Sequence, residues 1–315
     1  MSDFLFSINV TMPVFLVMLL GYFLRRKGML TEQFVTVANR FNFSVTLPFM
    51  VFRDIAAVDI YEVFDLKFVL FCAIASSICF WVIWGMVRLF LKEKSLRGAF
   101  VQASFRSSAA VMGLAFINNI YGTSAMGPLM IIGAVPLYNI YSVLVLTFEA
   151  EGSGDRDTGK IKEACINIVK NPIIISIFLG LIVSLLRWDF PVVIDKTVNS
   201  VAALATPLAL IGLGAGFEGR GALARIKPTI WASAVKLLIQ PLVFLPAAAY
   251  LGFTGEKMIA ILIMLAAPAT PSCYIMAKNM KNDGVLTASI VVMTTFLAAF
   301  TLTGWIYLLR VLGYI

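Results

Sequence analysis

Ala260-Ile261-Leu262-Ile263-Met264-Leu265-Ala266-Ala267-Pro268-Ala269-Thr270-Pro271-Ser272-Cys273-Tyr274-Ile275-Met276-Ala277 is an apolar run broken near its centre by two prolines. Its length suits a helix crossing about 30 Å of hydrocarbon. Each proline removes a backbone hydrogen bond and pushes its ring against the preceding turn, so the helix is expected to stop and restart. Backbone groups freed at membrane depth are tolerated only inside protein or beside a water-filled cavity. Paired broken helices of this kind form the substrate site of many secondary transporters.

The surrounding chain fits a membrane. Of 315 residues, 60% are hydrophobic and 13% charged, too few polar groups to cover a soluble fold of this size. The apolar runs are continuous rather than alternating, which selects helices over a barrel. Ten segments are expected, at 5–24, 34–54, 66–91, 96–120, 125–148, 172–188, 193–217, 228–251, 257–280 and 284–312. Only Met1, Ser2 and Asp3 precede the first run, with no positive region or small-residue cleavage site, so segment 1 reads as a retained helix.

The 25 Lys and Arg residues test this map. Sixteen fall in the loops after segments 1, 3, 5, 7 and 9, and six on the opposite side. The asymmetry puts the odd-numbered loops in the cytoplasm and both termini outside, across the inner (plasma) membrane. The net charge of +8 thus follows the bilayer and gives no reason to expect a nucleic-acid partner. Arg40, Arg106 and Lys236 are left inside segments. Arg40 stands near an end and can snorkel, whereas Arg106 is near the middle of segment 4. Lys236 reads either as a second cationic contact or, preferably, as one side of a structural ion pair.

The long hydrophilic stretch, Glu149–Lys170, divides the chain into 1–148, a linker at 149–171 with a short amphipathic helix, and 172–315. Five segments on each side imply two inverted five-helix repeats, because an odd number reverses the second copy. Thr46-Leu47-Pro48 in segment 2 corresponds to Ala205-Thr206-Pro207 in segment 7. Sliding segment 4 onto segment 9 sets Arg106-Ser107-Ser108-Ala109-Ala110 over Pro268-Ala269-Thr270-Pro271-Ser272. For Pro48 and Pro207 a helix break and a simple packing kink both stay open.

If segments 4 and 9 break and cross, two half-helix N-termini, near Ala109 and Ser272, meet at the midplane. Such ends hold carboxylates through unpaired N–H groups and a partial positive charge. Arg106 adds a full charge with bidentate geometry. Ser107, Ser108, Thr270 and Ser272 add hydroxyls beside Pro271, and Asn139 of segment 5 adds an amide. The alternative for Arg106 is structural, bonding carbonyls that the break sets free.

Other functions find little support. The chain lacks histidine, which removes His-based zinc sites and proton relays, and no metal site, resident cofactor or catalytic group is expected. No GxxxxGK[ST] loop suggests nucleotide-driven pumping. Sodium coupling stays open, because a broken helix offers carbonyls and hydroxyls. A transporter-like carboxylate sensor also stays open, though the sequence offers no attached soluble domain for it.

Five stretches carry a family resemblance: Asn171-Pro172-Ile173-Ile174, Thr206-Pro207-Leu208-Ala209-Leu210-Ile211-Gly212-Leu213-Gly214, Lys236-Leu237-Leu238, Ala267-Pro268 through Met276-Ala277, and Val291-Val292-Met293-Thr294-Thr295. In these the chain resembles bacterial members of the auxin efflux carrier family. The resemblance implies an all-α fold shared with bile-acid sodium symporters, with segments 4 and 9 broken and crossed. It also implies a homodimer, with segments 1, 2, 6 and 7 as scaffold and the others moving in an elevator mechanism. Implied substrates are small organic anions such as malonate, malate or lactate-like acids, or, in sodium-coupled form, larger amphipathic anions. Many relatives carry asparagine after the Arg-Ser of segment 4, where this chain has Ser108.

Overall fold

The computed structural model describes residues 2–57, 65–109, 126–150, 166, 169–217 and 219–315. Apart from Ile166 and Val169, the amphipathic stretch of the linker lies outside the described residues, as does the half of segment 4 after Ala109. The described chain is helical. It runs as α1 (Ser2–Arg26), α2 (Glu32–Phe41), α3 (Leu47–Ala56), α4 (Leu66–Phe90), α5 (Lys94–Phe105), α6 (Met126–Phe148) and α7 (Pro172–Leu186). It continues as α8 (Val192–Ala203), α9 (Ala205–Ala215), α10 (Gly219–Ala224), α11 (Ile226–Ala234), α12 (Gln240–Tyr250), α13 (Glu256–Ala266), α14 (Ser272–Asn279) and α15 (Gly284–Val311).

Local chemistry sets the helix starts. Thr31, Asp65, Asn171 and Asp283 each accept a bond from a backbone N–H of the first turn of α2, α4, α7 and α15, the usual work of an N-cap. Two joins are π turns, Asn42–Thr46 between α2 and α3 and Val235–Ile239 between α11 and α12. Both keep helical dihedrals at their ends, so each pair reads as one bulged rod.

Leu66–Phe90, Leu129–Phe148, Val192–Ala215, Ile226–Tyr250 and Gly284–Val311 are long and apolar enough to cross a membrane. Side-chain exposure on α4 carries the same message. Leu70, Ile74, Ile78 and Trp81 are about half exposed along one face, while Phe68, Cys72, Ala75 and Cys79 are buried on the other. An exposed row of that composition suits lipid, not water. Helix α13 is different: Met258 through Ala267 are at most 1% exposed, all round the helix. A helix apolar on every side belongs in the interior, and α13 forms the centre of the core.

Close backbone contacts join α1 to α9 and α3 to α7. A Cβ on Gly214 would lie 1.8 Å from the Met18 carbonyl oxygen, and one on Gly180 would lie 3.0 Å from that of Phe52. Only glycine allows the first of these crossings. Onto these helices pack α6, α14 and α15, and α4, α5 and α11 to α13 join the fold through those three or through one another.

On one face, Asp65 caps α4 through the Phe68 N–H at 3.0 Å and pairs with Lys257 of α13. Lys67 donates to the Leu251 carbonyl at 2.6 Å. The Lys257 hydrogen bond, followed by the Phe68 amide, holds the Asp65 carboxyl below its ordinary value. A lowered folded value means stability that is complete above the unfolded carboxylate range and lost as pH falls through the folded value. Asp65→Asn should therefore lower the melting temperature of the detergent-solubilised protein at about pH 7, with the gap to wild type closing on acidification. A pH-independent gap would assign the effect to the cap geometry alone.

Candidate functional site

The non-helical stretches after α5 and between α13 and α14 are hydrogen-bonded to each other. Arg106 ends α5 with extended dihedrals (φ −79°, ψ 128°), as does Ala267 at the end of α13 (φ −65°, ψ 149°). The Ser108 N–H donates to the Pro268 carbonyl at 2.9 Å. Ser107 Oγ donates to the Ala267 carbonyl at 3.3 Å, and the Ala269 N–H donates to Thr294 Oγ1 of α15 at 3.2 Å.

The partners follow from what proline removes. Lacking N–H groups, Pro268 and Pro271 orphan the carbonyls four residues earlier, those of Met264 and Ala267. The Tyr138 hydroxyl of α6 donates to the first at 2.9 Å, and Ser107 serves the second. The end of α5 is served likewise. Lys236 Nζ donates to the Phe105 carbonyl at 3.2 Å, and Gln240 Nε2 to that of Ser104 at 2.6 Å. Lys236 lies in the π turn Val235–Ile239, and Gln240 begins α12 directly after it. Bulges of this kind recur at functional positions. The ion pair expected for Lys236 is replaced by a carbonyl cap: among the described residues no carboxylate pairs with its fully buried ammonium.

Arg106 is 6% exposed. One of its terminal nitrogens donates to Ser142 Oγ at 3.4 Å and to the Met276 thioether at 2.9 Å. A thioether is a weak acceptor, and a guanidinium has five donors to satisfy. Among the described residues Arg106 makes no ion pair, and the carbonyls of Ser104, Phe105, Met264 and Ala267 are taken by other side chains.

The remaining expected residues spread around this contact. Ser107, Ser108, Pro271 and Ser272 are buried and Thr270 half-buried, with Thr270 Oγ1 and Ser272 Oγ 3.2 Å apart. Ser272 begins α14, whose first turn also bonds to the Thr270 and Pro271 carbonyls. Asn139 Nδ2 donates within its own helix to Val135, and among the described residues its buried Oδ1 has no partner. Ala109 is the last described residue of segment 4, so the half-helix expected to start there lies outside the described residues. Pro48 and Pro207 stand in the first turn of α3 and α9. The interruption beside Pro48 is a π turn, and beside Pro207 a single step at Leu204. There Asn42 Nδ2 crosses to the Ala205 carbonyl at 3.0 Å.

A family model described as a membrane transport protein matches residues 6–306. This chain belongs to that family, the auxin efflux carriers. It is a transporter family and not an enzyme family. An uncharacterized transporter of Methanothermobacter thermautotrophicus is 23% identical over 96% of this chain and 98% of its own length. The uncharacterized transporter YfdV of Escherichia coli is 24% identical over 98% of this chain and 99% of its own. A putative malonate transporter of Rhizobium meliloti is 22% identical, covering 96% of this chain and 95% of the relative. The protein is accordingly a multi-pass membrane transporter acting on a small substrate.

Proposed function

We propose that the protein is a secondary carrier moving a small mono- or dicarboxylate across the cytoplasmic membrane, held at the crossing of segments 4 and 9. One observation carries this reading: a buried guanidinium at the crossing whose described partners are a hydroxyl and a thioether. A central arginine costs at least about 3 kcal/mol to insert, and the structural duty that would justify it is done by Lys236, Gln240, Tyr138 and Ser107. A carboxylate entering the crossing gains a charge-assisted, bidentate partner, with the hydroxyls of Thr270 and Ser272 and the N-terminus of α14 alongside.

The architecture proposed for this carrier is ten membrane segments in two inverted halves. Exchanging the halves relates the contact of α1 with α9 to that of α3 with α7, and the contact of α5 with α15 to that of α13 with α6. Helices α1, α2, α3, α7, α8 and α9 form the static part, and the others carry the site between the two faces. In this topology both termini are outside. An engineered cysteine at Ser2, in a background without Cys165, should react with an impermeant thiol reagent added to intact cells. One at Ser153 should react only after lysis. Labelling of Ser153 in sealed cells would overturn this orientation.

The function itself is tested in proteoliposomes offered a panel of labelled carboxylates, malonate among them, with and without a sodium gradient. Saturable uptake of at least one member is the expected result. Absence of uptake for the whole panel by folded protein would remove the carboxylate reading.

A further inference from the structure

Two cavities open on opposite faces, and their linings carry opposite charge. The 25-residue helix α1 rises about 37 Å at 1.5 Å per residue, so its end, Arg25 and Arg26, lies a membrane's thickness from its start. The chain turns at Gly28 and runs back through α2 and α3, which places Arg53 and Asp54 on the other face. The first cavity, of about 1170 Å³, lies between α1, the end of α9, α14 and α15. Its lining holds Arg25, Arg26 and Lys278 against one carboxylate, Glu32. The second, of about 560 Å³, lies where α3, α6, α7 and α8 meet, and holds Arg53 against Asp54, Asp189 and Asp195. Exchanging the two halves of the chain would exchange these positions, yet the charge ratio inverts.

The cations of the first cavity keep bonding capacity to spare. Arg25 donates to the Leu30 carbonyl at 3.0 Å and stands 3.7 Å from the exposed Glu32. Among the described residues Arg26 donates one bond, to the Tyr22 hydroxyl at 3.1 Å. Each guanidinium has five donors. Lys278 is exposed, its ammonium 5.8 Å from the Tyr274 ring centroid, at the end of the same helix α14 that begins at Ser272 in the crossing. The cavity lining reaches Phe15, ten residues or about 15 Å along α1 from Arg25. There α1 and α15 meet at the Phe15–Phe296 ring contact, 6.5 Å between centroids. It therefore extends from the basic rim to mid-membrane depth, between the static and moving parts.

We propose that the basic cavity is the anion-loading vestibule of the crossing and that the acidic cavity is its opposite door, so that carboxylates are held more tightly from the basic face than from the acidic one. The proposal rests on the carboxylate reading above. A cleft of one sign with low-dielectric walls concentrates counter-charged ligands. An anion entering the first cavity meets a net attraction, whereas one entering from the other face passes a net repulsion. The loading face is the cytoplasmic one in the proposed topology, but the sidedness of affinity does not depend on that assignment.

The test compares right-side-out and inside-out vesicles from the same cells, with membrane potential clamped to zero, using the carboxylate that proteoliposomes transport best. The readout is the ratio of KM values at the two faces. At about 20 mM ionic strength the basic-face KM should be about tenfold lower, the low end of what charged clefts contribute. At about 0.5 M salt, where screening lengths shrink to a few ångströms, the ratio should approach one. The double variant Arg25→Gln/Arg26→Gln should collapse the ratio at low salt, and Lys278→Gln should do so in part, which guards against a folding defect in either. Equal KM values at low salt, or a ratio unchanged in both variants, would overturn the vestibule while leaving the carrier intact. Variants that lose a response to added phosphatidylglycerol instead of a response to salt would overturn it in favour of a lipid site. Absence of carboxylate transport in wild-type protein would be recognisable as failure of the functional reading, and the vestibule would fall with it.

Discussion

Arg106→Gln should weaken carboxylate binding by roughly 10- to 150-fold, the equivalent of about 1.5–3 kcal/mol for a charge-assisted hydrogen bond, without lowering the melting temperature. The second half of that expectation comes from the hydrogen-bond pattern. If Arg106 held the broken backbone together, its loss would orphan carbonyls and destabilise the fold. The carbonyls of Ser104, Phe105, Met264 and Ala267 are instead bonded by Gln240, Lys236, Tyr138 and Ser107. Among the described residues, truncating Arg106 frees only the Ser142 hydroxyl and the Met276 thioether; a helical serine can turn to a carbonyl of its own preceding turn, and a thioether is a weak acceptor. Removing a buried cation without a described ion-pair partner even relieves a desolvation penalty. Arg106→Lys should recover part of the affinity, because an ammonium cannot reproduce the planar fork. Affinity and melting temperature measured on the same purified variants give the answer. Normal affinity with a lowered melting temperature would make Arg106 structural and remove it from the site.

How far the sequence alone could lead is visible in these same residues. Proline acts on its own backbone, so the stop near Pro268 and Pro271 could be read from two letters and their apolar setting. An arginine in the middle of an apolar run likewise announces itself, because lipid makes charge expensive wherever it stands. The groups that repair the break could not be read this way. Lys236 lies 131 positions from Phe105 and Gln240 136 from Ser104, and nothing in local propensity names a partner at that distance. The expectation of an ion pair for Lys236 assumed that a buried ammonium needs a carboxylate. A helix end offers another acceptor, a carbonyl carrying part of the helix dipole, and that is the partner it has. Tyr138, Ser142, Met276 and Thr294 were missed for a related reason. Tyrosine, serine, methionine and threonine are ordinary inside membrane helices, and only the contact between the two helix breaks gives these four a task. The π turns at Asn42–Thr46 and Val235–Ile239 were also beyond reach, since one extra residue in a helical turn leaves the apolar pattern almost unchanged.

Gly214→Ala should cost the most folded protein of any single methyl group added to this chain's described glycines. The Cβ would stand 1.8 Å from the Met18 carbonyl oxygen and 2.7 Å from its carbon, both backbone atoms of α1. No rotamer change relieves such a contact, so the two helices must separate along the seam where α1 packs on α9. Overpacking ordinarily costs about 1–3 kcal/mol, and a clash between two backbones belongs at or above the top of that range. Gly21→Ala, on the facing helix, meets the Ile211 carbonyl oxygen at 2.4 Å and should behave similarly but less severely. Gly304 of α15 supplies the control, because a Cβ there meets nothing within 4 Å. Gly304→Ala should be neutral or stabilising by up to about 1 kcal/mol, the helix-propensity gain of alanine over glycine. Fluorescence-detected size exclusion and melting temperature in one detergent would rank the three. If Gly214→Ala melts with wild type, the α1–α9 seam is looser than its geometry. It could not then serve as the static wall of the basic cavity, to which α1 and the end of α9 both contribute.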